Sequence, residues 1–391
     1  MRPMRPTKKA LLASSALAII LFGINLSAFA PPDPTAAAAK MIGSNTSRLP
    51  VNGSYCFPST RTQKAWVPRN GGTFTDEELS DLITHLSFAG CLPDAARYAV
   101  DIGAADGHGP SEKLFQPPLS FAGLMLEGNK ANLASMQRVV PSSTVTKLIT
   151  WISPSEISKT FRDNRVPKDF VYLKIDMDSD DCSTLVAVME HGYRPRLLQM
   201  EMIPEIPHPF AFGILPYISY AYPDTHMGFQ SCSLTMMNSL AEKYDYKLIS
   251  VGGTKDALFA HASVLPALSV LDVAVGYHRF AACCWAGVNP TSIRFTEADL
   301  NVHLGKFGPL SWVDKAKDPS SKQDLEESVA AYLAHACRGR AGSMTKGESA
   351  AGKGTCPYAY MLSGKPETVA EEFVAIVMGG KERSASAVVH G

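Results

Sequence analysis

The run DFVYLKIDMD, residues 169 to 178, constrains the fold more than any other stretch. Between Phe170 and Ile175 only Lys174 breaks its apolar character, and a strand that is apolar on both sides of the pleat has to be buried on both faces. Burial on both faces calls for helices above and below, the arrangement of an open and mostly parallel sheet. The surrounding sequence repeats the theme. Strands are expected at 98–102, 121–126, 145–152, 169–178, 196–202, 247–251 and 257–264. Between them Leu133, Met136, Val139 and Val140, and later Leu234, Met237, Leu240, Ala241 and Tyr244, fall at helical spacing. A further helix around 184–190 is expected to stop at Gly192. The fold class is therefore α/β, with helices on both faces of the sheet.

The chain of 391 residues carries 37 basic and 37 acidic side chains, so no basic field exists to attract nucleic acid, which is excluded as a partner. Its first nine residues hold Arg2, Arg5, Lys8 and Lys9 without an acid. An apolar run then continues to Ala30, about 20 residues and enough to span a bilayer. Ala28-Phe29-Ala30 has the form of a signal-peptide cleavage site, but the length of the run and Pro31 favour an uncleaved anchor. Either way the remainder is expected in the lumen of the secretory pathway, as a type II membrane protein or a secreted one. Sequons at Asn45 and Asn52 agree with that side of the membrane. Eight cysteines without a CxxC pair are compatible with disulfides there, or with buried small apolar residues. The expected organisation is a signal-anchor or signal peptide over 1–30, a stem and lead-in over 31–94, the α/β domain over 95–270, and an extension of undefined role over 271–391. In that extension helices are expected at 324–336 and 366–378, and GESAAGKGT lacks the Ser or Thr and the preceding strand of a phosphate-binding loop.

Ligands of open parallel sheets sit beyond the carboxyl ends of the strands. There VDIGAADG, residues 100 to 107, ends the first strand in Asp101 and then in a bare backbone of Gly103, Ala104, Ala105, Asp106 and Gly107. Glycines let a backbone approach a ligand closely, and the acids accept its hydrogen bonds. Glu127 at the end of the second strand is placed for the two hydroxyls of a ribose. The spacing G-x-G-x-x-G of dinucleotide sites is missing, which leaves a nucleoside ligand without a pyrophosphate. Asp176 and Asp178 end the fourth strand. A proline- and aromatic-rich stretch of about thirty residues after the fifth strand, holding His208 and His226, reads as a cover on the acceptor side.

In order and spacing VDIGAADG, GLMLEGN, YLKIDMDSDD, RLLQMEM, PHPFAF, GFQSCSLTMMNSLAEKYDYKLISV and KDALFA resemble the FkbM-type S-adenosylmethionine-dependent methyltransferases over roughly residues 95–265. The resemblance implies a Rossmann-like seven-stranded sheet that binds S-adenosyl-L-methionine. Its cofactor-binding residues would be Asp101, Gly103, Ala105, Asp106, Gly107, Glu127 and Asp176, and its catalytic ones Asp176, Asp178 and His208. O-methylation of a glycan or glycolipid hydroxyl is the implied reaction, with no metal assigned. The sequence departs from that pattern at Asp178-Ser179, at Glu201-Met202-Ile203 and at Asp256. Two other readings compete: a lumenal glycosyltransferase whose Asp176-Met177-Asp178 holds a metal against a nucleotide sugar, and a non-catalytic protein on the same fold.

Overall fold

The computed structural model describes residues 73–92, 97–204, 206, 208–214, 231–252, 255–283, 360–363, 366–379 and 388–390. The apolar N-terminal run, both sequons, His226 and the 324–336 helix lie outside them. No helix among the described residues is long and apolar enough to cross a membrane.

The first elements are β1 (Thr73–Phe74) and α1 (Asp76–Phe88), followed by β2 (Tyr98–Ile102), α2 (Pro110–Phe115), β3 (Ala122–Glu127), α3 (Leu133–Val139) and β4 (Val145–Ile149). The chain then passes through α4 (Ile157–Asp163), β5 (Asp169–Ile175), α5 (Asp181–Glu190), β6 (Arg194–Glu201) and β7 (Ala211–Ile214). Next come α6 (Leu234–Lys243), β8 (Tyr246–Gly252), β9 (Asp256–His261), α7 (Val273–Cys283), β10 (Tyr360–Ser363), α8 (Pro366–Gly379) and β11 (Val388–His390).

The main sheet runs β1-β8-β9-β6-β5-β2-β3-β4. Seven of its strands are those expected, and the two-residue β1 adds an eighth at the edge beside β8. Every neighbouring pair is parallel except those of β9, which runs against both β6 and β8. From β2 the chain moves outward through β3 to β4, then returns to β5 and β6 on the other side. The strand order therefore reverses between β2 and β5, which opens a crevice at their carboxyl ends.

Both faces are covered, as the apolar strands require. Val100, Ile102, Leu173, Ile175, Leu198 and Met200 pack with side chains of α4, α5, α6, α7 and α8 on one face. On the other, Ala99, Tyr172 and Leu197 meet Leu79, Leu82, Ile83 and Leu86 of α1 and residues of α2 and α3. Thr75 and Glu78 form a capping box at the start of α1, where the sequence reading had placed only a lead-in. A second correction concerns β7, inside the stretch read as a continuous loop. It pairs antiparallel with β10 of the C-terminal extension, which pairs in turn with β11. Helix α8 completes this attachment: Phe373 is fully buried, and a Cβ on Gly213 would lie 2.8 Å from its ring. The expected helix at 366–378 is thus present and belongs to the core of the α/β domain.

Candidate functional site

Strand β2 carries the first part of the site. Its Asp101 is buried and accepts a hydrogen bond from the Ser111 hydroxyl of α2, while its Oδ1 has no hydrogen-bond partner among the described residues. Directly across the ladder stands Lys174 of β5, whose Nζ lies 2.7 Å from Asp176 Oδ2. Burial pushes the Asp101 carboxyl above its usual range, with Lys174 and Ser111 acting the other way. For Lys174, burial works against the charge, yet Asp101, Asp176 and Asp256 outweigh it and hold the ammonium above its ordinary pKa. A lysine in the middle of a sheet is tolerated because Asp101 of β2, Asp256 of β9 and Asp176 just past β5 surround it.

The loop after β2 presses against the end of β5. Gly103 has φ +83°, and a Cβ there would come 1.7 Å from the Asp176 carbonyl oxygen, so no other residue fits without moving the two strand ends apart. Backbone N–H groups of Gly103 and Ala104 both donate to the Leu126 carbonyl oxygen of β3, at 2.9 and 3.0 Å. Gly107, at φ +93°, passes so close to α3 that a Cβ would stand 2.9 Å from the Met136 Cα. Ala105 and Asp106 are exposed at the tip of the loop, and Asp106 Oδ1 accepts from the His108 N–H at 3.2 Å.

Glu127 ends β3 beside this loop. Its Oε1 accepts the Asn129 N–H at 2.6 Å, which fixes the carboxylate. Gly128, the next residue, lies under the indole of Trp151, to which a Cβ would come within 2.8 Å. Trp151 is 64% exposed, a broad aromatic face next to Glu127. The sequence reading placed it inside the strand expected at 145–152, which ends at Ile149 instead.

On the other flank of β5 the structure assembles carboxylates. Oxygens of Asp176, Asp178 and Glu201 lie within 4.8 Å of one another. Asp178 is exposed and adopts φ +55°. Glu201 closes β6 with a side chain 15% exposed, and Lys255 Nζ stands 3.9 Å from it. Burial, then the charges of Asp176, Asp178 and Asp181, push its pKa up to about 10. Asp181 is fully buried, and burial followed by Asp176 pushes its pKa up to about 8. Asp180 holds the N-cap position of α5 without a side-chain cap bond, and Asp181 Oδ1 accepts the Met177 N–H at 3.0 Å. Glu201 was missed, although an acid ending an apolar strand is the same signal that singled out Asp176.

His208 is placed elsewhere. Its Nδ1 lies 3.2 Å from Thr235 Oγ1 at the start of α6, and it lines a cavity of ≈ 410 Å³ with Asn238, Ser239, Glu242, Lys243 and Glu371. It is not among the groups whose ligand atoms gather at Asp176. A disulfide joins Cys182, in the first turn of α5, to Cys232, just ahead of α6, with Cα atoms 6.1 Å apart. It ties the segment carrying Ser231, whose hydroxyl donates to the Glu201 carbonyl oxygen, to the helix that follows the carboxylates.

No family model matches the chain, and no curated protein does either. Among solved structures it is similar to a SAM-dependent methyltransferase from Anabaena variabilis, at 10% identity over 49% of this chain and 89% of that one, with a TM-score of 0.28. It is also similar to an O-methyltransferase from Bacillus cereus in complex with SAH, at 11% identity over 48% of this chain and 92% of that one, TM-score 0.28. A putative sarcosine dimethylglycine methyltransferase from Galdieria sulphuraria shows 14% identity over 62% and 80%, TM-score 0.29. Likenesses this remote carry no functional weight by themselves.

Proposed function

We propose that this chain is an S-adenosylmethionine-dependent methyltransferase of FkbM-like type that methylates a glycan or glycolipid hydroxyl in the secretory pathway. One observation carries the reading: at the point where strand order reverses, a glycine loop packed onto the end of β5 lies beside an oriented carboxylate at the end of β3. The residues fit the cofactor. Gly103 and Gly107 hold the loop tightly against the end of β5 and against α3, Asp101 Oδ1 is a buried acceptor with no donor among the described residues, and Glu127 is oriented by the Asn129 N–H. Glu127 would bind the ribose hydroxyls and Trp151 would offer its face to the adenine. When bound, the cofactor supplies a methyl group on a sulfonium.

The protein's part is mostly positioning, since methyl transfer is an in-line displacement. Asp178, exposed on the rim, is the group best placed to take the proton of an acceptor hydroxyl. His208 lines its own cavity beside Thr235 and takes no part in the proposed proton transfer. The Cys182–Cys232 disulfide supports an oxidising compartment, in agreement with the N-terminal apolar run and the sequons.

Calorimetry tests the reading. Wild-type protein should bind S-adenosylmethionine, and Glu127→Ala should lose about 2–3 kcal/mol, roughly 30- to 150-fold in affinity, for two charge-assisted hydrogen bonds partly replaced by water. Binding of a nucleotide sugar with manganese, and none of S-adenosylmethionine, would identify a glycosyltransferase instead. Transfer of labelled methyl groups to a glycan extract then identifies the acceptor.

A further inference from the structure

The carboxylates flanking β5 outnumber what a cofactor cradle uses. Asp176 and Asp178 come from the end of β5 and Glu201 from the end of β6, and one oxygen of each lies within 4.8 Å of the others. Ligand oxygens on opposite sides of a single Mg²⁺ or Ca²⁺ ion are separated by about 4–5 Å, twice a metal–oxygen bond. The spacing therefore matches a shared ion.

A second observation lies beneath the cluster. Asp181 is fully buried and belongs to the helix behind the three. Its Oδ1 holds the N–H of Met177, the residue between Asp176 and Asp178, so the carboxylate reaches up under that turn. Its Oδ2 is buried without a hydrogen-bond partner among the described residues. The nearby Ser231 hydroxyl spends its hydrogen on the Glu201 carbonyl oxygen. Glu201 Oε2 is likewise buried and without a hydrogen bond. Of the neighbouring lysines, Lys174 is bonded to Asp176 at 2.7 Å and Lys255 stands 3.9 Å from Glu201, too far for a hydrogen bond. Buried carboxyl groups crowded together must keep their protons or meet a cation, and a divalent ion that displaces the protons satisfies several oxygens at once.

We propose that Asp176, Asp178 and Glu201 form a binding site for one hard divalent cation of the Mg²⁺, Mn²⁺ and Ca²⁺ class, backed by Asp181. An all-carboxylate donor set selects such ions over softer ones. Three protein ligands leave coordination positions for water, or for an acceptor hydroxyl, the latter role resting on the methyltransferase reading.

Manganese is the probe. Titrating the full chain with Mn²⁺ and following the electron paramagnetic resonance signal of the free ion should show one bound ion per chain, with Kd of about 10⁻³ M or tighter. Asp178→Asn and Glu201→Gln should each weaken it about tenfold or more, and Ca²⁺ should compete. Asp163→Asn, on the exposed Lys159 pair, is the control and should leave it unchanged. Asp178 is exposed, so its substitution leaves the fold intact even where Glu201→Gln disturbs it. No binding by the wild type at millimolar Mn²⁺, or binding that survives Asp178→Asn, overturns the proposal. S-adenosylmethionine calorimetry without metal on the same preparation tests the methyltransferase reading separately.

Discussion

At the scale of single residues, Lys174 ties the site to the stability of the sheet. It is 9% exposed and answers at once to acids on β2, on β9 and just past β5. Lys174→Met keeps much of the volume and removes the charge, leaving Asp101 buried without its cation. The expected loss is about 3–5 kcal/mol in urea unfolding at neutral pH. The sign of its pH dependence follows from Asp101, whose folded pKa already lies above the ordinary value because of burial. Without Lys174 it rises further, so the penalty is absent where the carboxyl is protonated in both states, grows with pH once the unfolded carboxyl ionises, and levels off above the raised folded pKa. A deficit that shrinks toward high pH would contradict this account. Replacing Asp101 by Asn in the same chain should recover part of the loss.

At the scale of elements, the extension is a structural partner of the α/β domain. Phe373 of α8 is fully buried against Gly213 of β7, and Lys243 of α6 meets Glu371 at 2.6 Å. Phe373→Ala should destabilise the domain by about 3–5 kcal/mol, read as a lower urea midpoint. A change under about 1 kcal/mol would mean that α8 is peripheral. This attachment is also where sequence reading stopped. The central strands were legible to within about three residues, because apolar runs covered on both faces have no other fold available. Strand β7 was not, since its four residues gain stability from β10, nearly 150 positions later, and not from any local pattern. Helix α1 was legible in principle: Thr75 and Glu78 followed by Leu79, Leu82, Ile83 and Leu86 is a capping box with an apolar face. In the site, the positions of the loop after β2 and of Glu127 at strand ends could be read because they follow from local pattern. The gathering of Glu201 and Asp181 around Asp176 could not, because the β5–β6 register and the start of α5 bring them together.

At the scale of the whole molecule, the Cys182–Cys232 bond closes a chain segment with a sequence separation of 50. A loop of that length corresponds to about 4 kcal/mol of unfolded-state entropy in the chain-entropy treatment. Cys182→Ala together with Cys232→Ala should therefore lower stability by up to that amount, and loss of Mn²⁺ binding should accompany it while S-adenosylmethionine binding stays. Equal loss of both ligands would show that the bond supports the whole crevice. The same bond has a different consequence for how such a protein can change over time. Strands β6 and β7 and the aromatic stretch after them form a covalent ring pinned at both ends. Insertions, deletions or exchanges confined to the segment between β7 and Cys232 keep its two anchor points, and the loop after β2 and Glu127 lie outside the ring. Sequence change in that segment is thus uncoupled from the backbone of the loop after β2.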